Sequence, residues 1–355
     1  MFQYTSVLKA MKNKHPVKIF KCSYCSEPVY FHNSHCMRCN SSLAFDAATL
    51  SMQAQQTPLC LNGLLYNACN WLASDSSANG FCVSCELNRT IPTLSAENNV
   101  SLWQKVQREK NTLIYSLLRL GLPVKSQQQE PQTGLAFDFL DAQSAPPDVA
   151  VTTGHARGVI TLDILEADDA HRETTRQQMG ERYRTLLGHF RHESAHYYWD
   201  RLVSETSWLS PVRDLFGDDR IDYGDALQQH YQSGAPAKWE TDYISAYASS
   251  HAWEDWAETW AHYIHIVDTL ETSHEIGLVL DPSTGRMQSV QADSILDPYR
   301  CARFDTLVEK WMPISVALNM LNRSLGQADA YPFVLSPKII DKLSLVHDII
   351  RSQRQ

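Results

Sequence analysis

Apolar residues recur at helical spacing over residues 95–122, where Leu102, Val106, Leu113, Leu117 and Leu120 share a face. Gly121 and Pro123 supply the stop. GLAFDFL (134–140) and GVITLDILEAD (158–168) alternate apolar with polar and predict strands, whereas KSQQQEPQTG and SAPPDVA read as loops. From Glu173 the pattern is helical again, and it predicts one helix running through Phe190 into GHFRHESAHYYWDRLV (188–203). Another helix is predicted from about Ala252 within YASSHAWEDWAETWAHYIH (247–265), and two more near residues 305–321 and 337–351. Between them, FGDDRIDYGDALQQHYQSGAPAKW (216–239) is acidic and punctuated by Gly and Pro. It reads as an insertion that could serve as a lid or a specificity loop.

A chain of 355 residues suggests two domains, or one with a small appendage. The formal net charge of −9 argues against nucleic acid as the main ligand. No apolar run reaches the length of a membrane span, so no membrane partner is expected. The N-terminus lacks the apolar core of an export signal, so the cytoplasm is the expected compartment. Residues 1–20 form a basic tail with Lys9, Lys12, Lys14 and Lys18, read as a solvated lead-in rather than a phosphate-seeking arm.

Eight of the nine cysteines lie between residues 22 and 85. Cys22-x2-Cys25 and Cys36-x2-Cys39 form two knuckles that each point two thiolates at one tetrahedral ion, a four-cysteine zinc ribbon. His32 and His35 stand nearby, but four cysteines suffice. Cys60, Cys69, Cys82 and Cys85 are less regularly spaced and read as a second zinc site, with a CVSC redox pair as the alternative. Four thiolates leave no position for a reacting water, so both sites are expected to be structural. Cys301 stands apart and reads as a core thiol.

His192-Glu193-Ser194-Ala195-His196 is an HExxH motif. On a helix His192 and His196 share one face and can grip one metal ion. Glu193 sits about 100° round the helix, where it reaches a metal-bound water without being a ligand. A metzincin would continue with Gly and His, but Trp199 and Leu202 hold those positions. In the second helix Glu254 and Glu258 are four apart on one face, beside Trp253, Trp256, Ala257, Trp260 and Ala261. Two carboxylates on an otherwise apolar helix are costly unless something cationic receives them. A zinc ion with its histidines would do so.

This pair of helices resembles the gluzincin metallopeptidases, and Tyr247-x6-Glu254-x3-Glu258 looks most like the catalytic domain of anthrax lethal factor and its relatives. The chain from about Cys22 to beyond Trp311 is also similar to a family of bacterial zinc metallopeptidases that begin with a zinc-ribbon region. The resemblance implies Glu254 as third zinc ligand, Glu258 as the carboxylate behind a ligand histidine, and Tyr247 as the phenol at the oxyanion. Tyr243 and Tyr263 compete for the last role. It further implies a cleft-rim strand, residues 153–163, whose edge would bind an extended peptide; an ordinary sheet strand is the alternative. Asp200, four after His196, either orients that ligand or caps locally. His189, His230 and His251 read as packing or surface residues, and His262 and His265 as rival ligands that fit less well than Glu254.

The expectation is an α+β protein: a tail (1–20), a double zinc-ribbon region (21–92) and a gluzincin-like zincin domain (93–355). It would hydrolyse peptide bonds of a peptide or protein substrate with one catalytic and two structural Zn2+. The alternative is a non-catalytic adaptor whose ribbons recruit a protein or, less in keeping with the charge, a nucleic acid.

Overall fold

A computed structural model describes residues 19–54, 58–75, 77, 79–142, 153–181, 183–280 and 297–354. Most of the expected basic tail and the SAPPDVA loop lie outside the described residues. The architecture mixes helices and strands, with the cysteine-rich region at the front of the chain.

Two short hairpins open the chain: β1 (Ile19–Lys21) with β2 (Pro28–Tyr30), and β3 (Leu43–Asp46) with β4 (Ser51–Ala54). A one-and-a-half-turn helix, α1 (Leu61–Tyr66), follows Cys60. The ribbons are not a loose appendage. Phe31 and Phe45 pack against Trp71, and both rings also meet Tyr115, at 5.0 and 5.8 Å between centroids. Tyr115 belongs to α2 (Asn99–Leu120), so one apolar core runs from the ribbons into the rest of the molecule.

The main sheet has the order β5-β6-β8-β7, with β5 (Asn88–Thr90), β6 (Ala136–Leu140), β7 (Gly154–Ala156) and β8 (Val159–Asp163). Strands β5, β6 and β8 run parallel, while β7 is antiparallel to β8 and forms the edge. A two-residue turn joins β7 to β8, with Arg157 at φ 49° and Gly158 at φ 77°. Both values are positive, the backbone of the turn that matches strand twist. A Cβ on Gly158 would stand 2.5 Å from the Gly134 carbonyl oxygen, so no larger residue fits there. Strand β5 falls before residue 92, so the ribbon region hands a strand to this sheet.

Two sequence expectations need correction. The strand predicted over 158–168 stops at Asp163, whose carboxylate accepts from the Leu165 amide and starts a 3-10 turn. The continuous helix from Glu173 into the motif is two helices, α3 (Asp169–Gln178) and α4 (Leu186–Leu202). Gly180 at φ 66° ends the first, and the Thr185 hydroxyl accepts from the Gly188 amide to cap the second.

Beyond α4 come α5 (Leu209–Phe216), α6 (Tyr223–Ser233), α7 (Ala252–Glu275), α8 (Phe304–Ser324) and α9 (Pro337–Ser352). No described helix is long and apolar enough to cross a membrane. The α4–α7 contact is made by tryptophans at helical spacing: Trp256 donates to the Ala195 carbonyl at 2.9 Å and Trp260 to Ser194 Oγ at 3.2 Å. Both acceptors lie inside the HExxH motif.

A buried polar network fastens α2, α4 and α7 together. Arg191 and the Tyr299 hydroxyl donate to Asp268, which also accepts from Ser116 Oγ at 2.9 Å. Arg119 bridges Glu271 at 2.8 Å and Asp297 at 2.9 Å. Removing one partner from a buried ion pair leaves an uncompensated charge. Arg119→Met should therefore cost about 3–5 kcal/mol of stability in urea unfolding. The same change at exposed Arg38, paired with Glu27, should cost under about 1 kcal/mol. Equal losses at the two sites would refute the assignment of Arg119 as a structural linchpin.

Candidate functional site

Helix α4 presents His192 and His196 on one face, and α7 brings Glu254 against them. His192 Nε2 lies 3.0 Å from Glu254 Oε2, and His196 Nε2 lies 3.7 Å from Glu254 Oε1. One donor atom from each of the three falls within 4.8 Å of the others. Tetrahedral zinc with bonds of about 2.0–2.1 Å sets its ligands about 3.4 Å apart, so the spacing fits zinc. The charge also fits: Glu193, Glu254 and Glu258 converge in a buried pocket that holds two histidines.

Glu258 Oε1 lies 2.7 Å from His192 Nδ1, behind the face that His192 turns to Glu254. Such a carboxylate holds a ring in orientation and raises its basicity. Burial opposes charge on Glu254, yet the hydrogen bond and charge of His192, with His196 and Tyr223, hold its carboxyl down to about 2. Burial also disfavours charge on His192, but Glu254 and Glu258 push it well up. His196 is held down to about 3 by burial, although Glu254 pulls the other way. Glu193 is pushed up to about 7, first by burial and then by the charges of Glu254 and Glu258, against His192. Its Oε2 is buried and has no hydrogen-bond partner.

Around these, Trp253 lies against His196 with 4.0 Å between ring centroids. Tyr247 is tilted over His192 at 6.0 Å. Burial and the Glu254 charge push its phenol up, so it stays protonated. The competing phenols are elsewhere: Tyr263 bonds His347 in the core at 3.0 Å, and Tyr243 lies under the Lys342 ammonium at 4.5 Å. Asp200 is exposed and does not partner His196, whose Nδ1 is buried without a hydrogen bond. His251 caps α7, accepting from the Trp253 amide at 3.0 Å. His262 bonds Tyr331 at 2.9 Å, His265 sits among Tyr183, Trp311 and Tyr331, and His189 lies 3.4 Å from Glu166. His230 meets Tyr247 edge-on at 6.2 Å.

Two residues at the site were not singled out in the sequence, although both lie in stretches expected near the cleft. Tyr223 of α6 donates its hydroxyl to Glu254 Oε1 at 2.8 Å. His155 of the edge strand β7 stacks 6.3 Å from His196, and burial holds it down to about 4, so it is neutral. Neither belongs to a spaced motif, and only tertiary packing brings them in.

The cysteines gather as two sets of four. Cys22 and Cys39 sulfurs are 3.7 Å apart, Cys25 and Cys36 3.5 Å, and Cys69 and Cys82 3.7 Å. Zinc–sulfur bonds of about 2.3 Å give about 3.8 Å between sulfurs, whereas a disulfide needs about 2.05 Å. The two knuckles repeat one backbone: Ser26 and Asn40, each just after the second cysteine, have φ of 62° and 57°. His32 ties to Thr112 of α2 at 3.3 Å and His35 to Ser34 at 3.2 Å, and neither joins the thiols. Cys301 is buried and bonds the Arg303 carbonyl.

A family model described as "Putative zinc-binding metallo-peptidase" matches residues 99–349, which include both helices of the site. The chain belongs to this family. A zinc-ribbon domain model matches twice before it, over residues 19–59 and 52–96. Relatives in Mycobacterium tuberculosis and Mycobacterium bovis, each called an uncharacterized protein, are 40% identical over 336 residues. The match covers 93% of this chain and 94% of theirs. No solved structure matches.

The second cysteine set has a feature the first lacks. Lys110 of α2 is fully buried beside it, donating to the Ser84 carbonyl at 2.7 Å and to Asn88. Burial pulls the ammonium down, and the charges of Cys85, Cys82, Cys69 and Cys60 hold it up. A zinc with four thiolates carries a net charge of −2, which Lys110 partly neutralises. In a chelator-release assay, Lys110→Met should speed zinc loss from this set about tenfold and leave the first set unchanged. Identical release curves would show that Lys110 does not support the cluster.

Proposed function

We propose that this chain is a zinc-dependent peptidase of gluzincin type, with His192, His196 and Glu254 as catalytic ligands and Glu193 as general base. The observation that carries the reading is the convergence of the three donor atoms within 4.8 Å beside a Glu193 carboxyl poised at about 7. Bound there, zinc supplies a Lewis acid that acidifies water and draws electron density from a carbonyl. Glu193 accepts the proton of the attacking water through its unpartnered Oε2 and returns it to the leaving amine. A carboxyl near neutrality can do both. Glu258 keeps the His192 ring in place through Nδ1. Tyr247, protonated and against His192, is the donor to the oxyanion that forms as the carbonyl becomes tetrahedral.

The substrate is an extended peptide added as a strand to β7. This strand pairs with β8 on one side and is the sheet edge on the other, and its His155 sits beside His196. The two cysteine sets each hold one structural zinc. Eight free thiols at metal-binding separations suit a reducing compartment, and we place the protein in the cytoplasm.

Wild-type protein should carry about three zinc ions by elemental analysis, and His192→Ala/His196→Ala about two. Glu193→Gln should keep about three and lose peptide hydrolysis by a factor of at least about 100. Equal zinc counts in wild type and the double variant would remove the metal site. Equal turnover by wild type and Glu193→Gln would remove the base.

A second test is pH dependence. Glu193 acts as a base in its ionised form, so kcat/KM should rise with pH through its pKa. A bound cation lowers that raised pKa, so the midpoint should fall at or below about 7. A rate that climbs only well above pH 8 would assign the base elsewhere.

A further inference from the structure

The segment between Gly217 and Gly234 is built unlike the helices around it. None of the residues of α6 is buried, so no apolar face holds the helix down. Near its start Asp219 pairs with Arg213 of α5, and the attachments that follow it end at the site. Tyr223 donates to Glu254 Oε1 at 2.8 Å, His251 Nε2 at the cap of α7 bonds the Ile221 carbonyl at 3.0 Å, and His230 meets Tyr247 edge-on. The Tyr223 ring also stands edge-on to His251 and Trp253, at 5.4 and 5.6 Å. Glycines bound the segment on both sides. Gly217 has φ 103° with ψ −174°, and Gly234 has φ 74° with ψ −179°, backbone that L side chains rarely adopt. At Gly234 a Cβ would meet nothing within 4 Å, so conformation rather than space selects glycine there.

We propose that Tyr223 is a positioning residue for the metal ligand Glu254, and that α6 is a lid that completes the zinc site when it is closed. The inference rests on the peptidase reading above, since it presumes that Glu254 is a ligand. Glu254 is buried, and its two oxygens are differently placed: Oε2 is 3.0 Å from His192 Nε2, while Oε1 receives the phenol. A phenol on Oε1 occupies that oxygen and leaves Oε2 to the ion. Without it, both oxygens are open to the cation, and two-point attachment would crowd the position that water and substrate need. Tyr223 therefore keeps the carboxylate attached through one oxygen. Because the phenol travels with α6, displacement of the lid by substrate or partner changes the ligand geometry at the same moment.

The dependence must run both ways, because coupling between two equilibria is reciprocal. Closing the lid tightens zinc at the catalytic site, and zinc at that site closes the lid. The test uses the full-length chain, wild type and Tyr223→Phe, equilibrated in buffers of stepped free zinc. Zinc per chain is read by elemental analysis and amide exchange by mass spectrometry. The phenylalanine keeps the ring packed on His251 and Trp253 and removes only the hydroxyl. The free zinc needed to half-fill the catalytic site should rise about 10- to 100-fold in Tyr223→Phe, with the cysteine sites unmoved. In wild type, filling that site should slow exchange across residues 223–233. In Tyr223→Phe it should not.

Superimposable zinc curves for the two proteins would overturn the role of Tyr223. Exchange across α6 that ignores zinc in wild type would overturn the lid, and this readout needs no variant. A wild-type chain that fills only its cysteine sites would instead overturn the peptidase reading, and this inference with it.

Discussion

A buried charge needs a partner of opposite sign, and this structure meets that constraint at three places, with α2 or α7 taking part in each. In the interior, Asp268 and Glu271 of α7 receive Arg191 and Arg119. At the second cysteine set, Lys110 of α2 stands against four thiols. At the HExxH site, Glu254 and Glu258 of the same α7 close on His192 and His196 with Glu193 beside them. The first place is closed by protein groups alone, and the second by Lys110 together with the zinc that its thiols would hold. At the third, no Arg or Lys among the described residues pairs with the three carboxylates, and that lack, rather than the motif alone, argues for a divalent cation.

Helix α7 can serve several roles because its positions divide among directions. Trp256 and Trp260 bond the backbone and side chain of α4 inside the motif, and Trp253 covers His196. Glu254 and Glu258 stand next to this tryptophan row, so the contacts that seat the helix also seat the carboxylates. On another side, Asp255 is paired with Lys342 of α9 and fully buried. Glu254 is thus flanked by a residue locked to the C-terminal helix. A small rotation of α7 would break apolar packing, indole hydrogen bonds and an ion pair together, which gives the site the rigidity that ligand placement within tenths of an ångström demands.

The core of the site was legible from spacing, and its surroundings were not. HExxH, the four-residue step from Glu254 to Glu258, and the two CxxC knuckles are periodic, so the helix and the ribbon carry their meaning in the chain itself. The break between α3 and α4 was missed because the apolar pattern continues across it, while the termination rests on Gly180 and a Thr185 cap. Tyr223 was hidden for another reason. Residues 216–239 look polar because α6 buries none of its residues, and nothing in such a stretch marks which phenol reaches a carboxylate thirty-one residues away. Asp200 shows the converse. Its four-residue spacing from His196 suggested contact, but its side chain faces out.

The position of the ribbons follows from the same charge argument. Lys110 touches the second cysteine set on one side, and on the other its ammonium lies 5.1 and 5.6 Å from the rings of Phe137 and Phe139. Those rings pack on Phe190 of α4 at 5.8 and 6.1 Å, two residues before His192. A four-thiolate zinc would be the anion that makes a buried lysine tolerable there, and the lysine in turn sits under the strand that packs on α4. Losing that metal would leave a desolvated ammonium in an aromatic core, and the strain would fall on β6 and then on α4. The ribbons therefore brace the HExxH helix through a short chain of contacts.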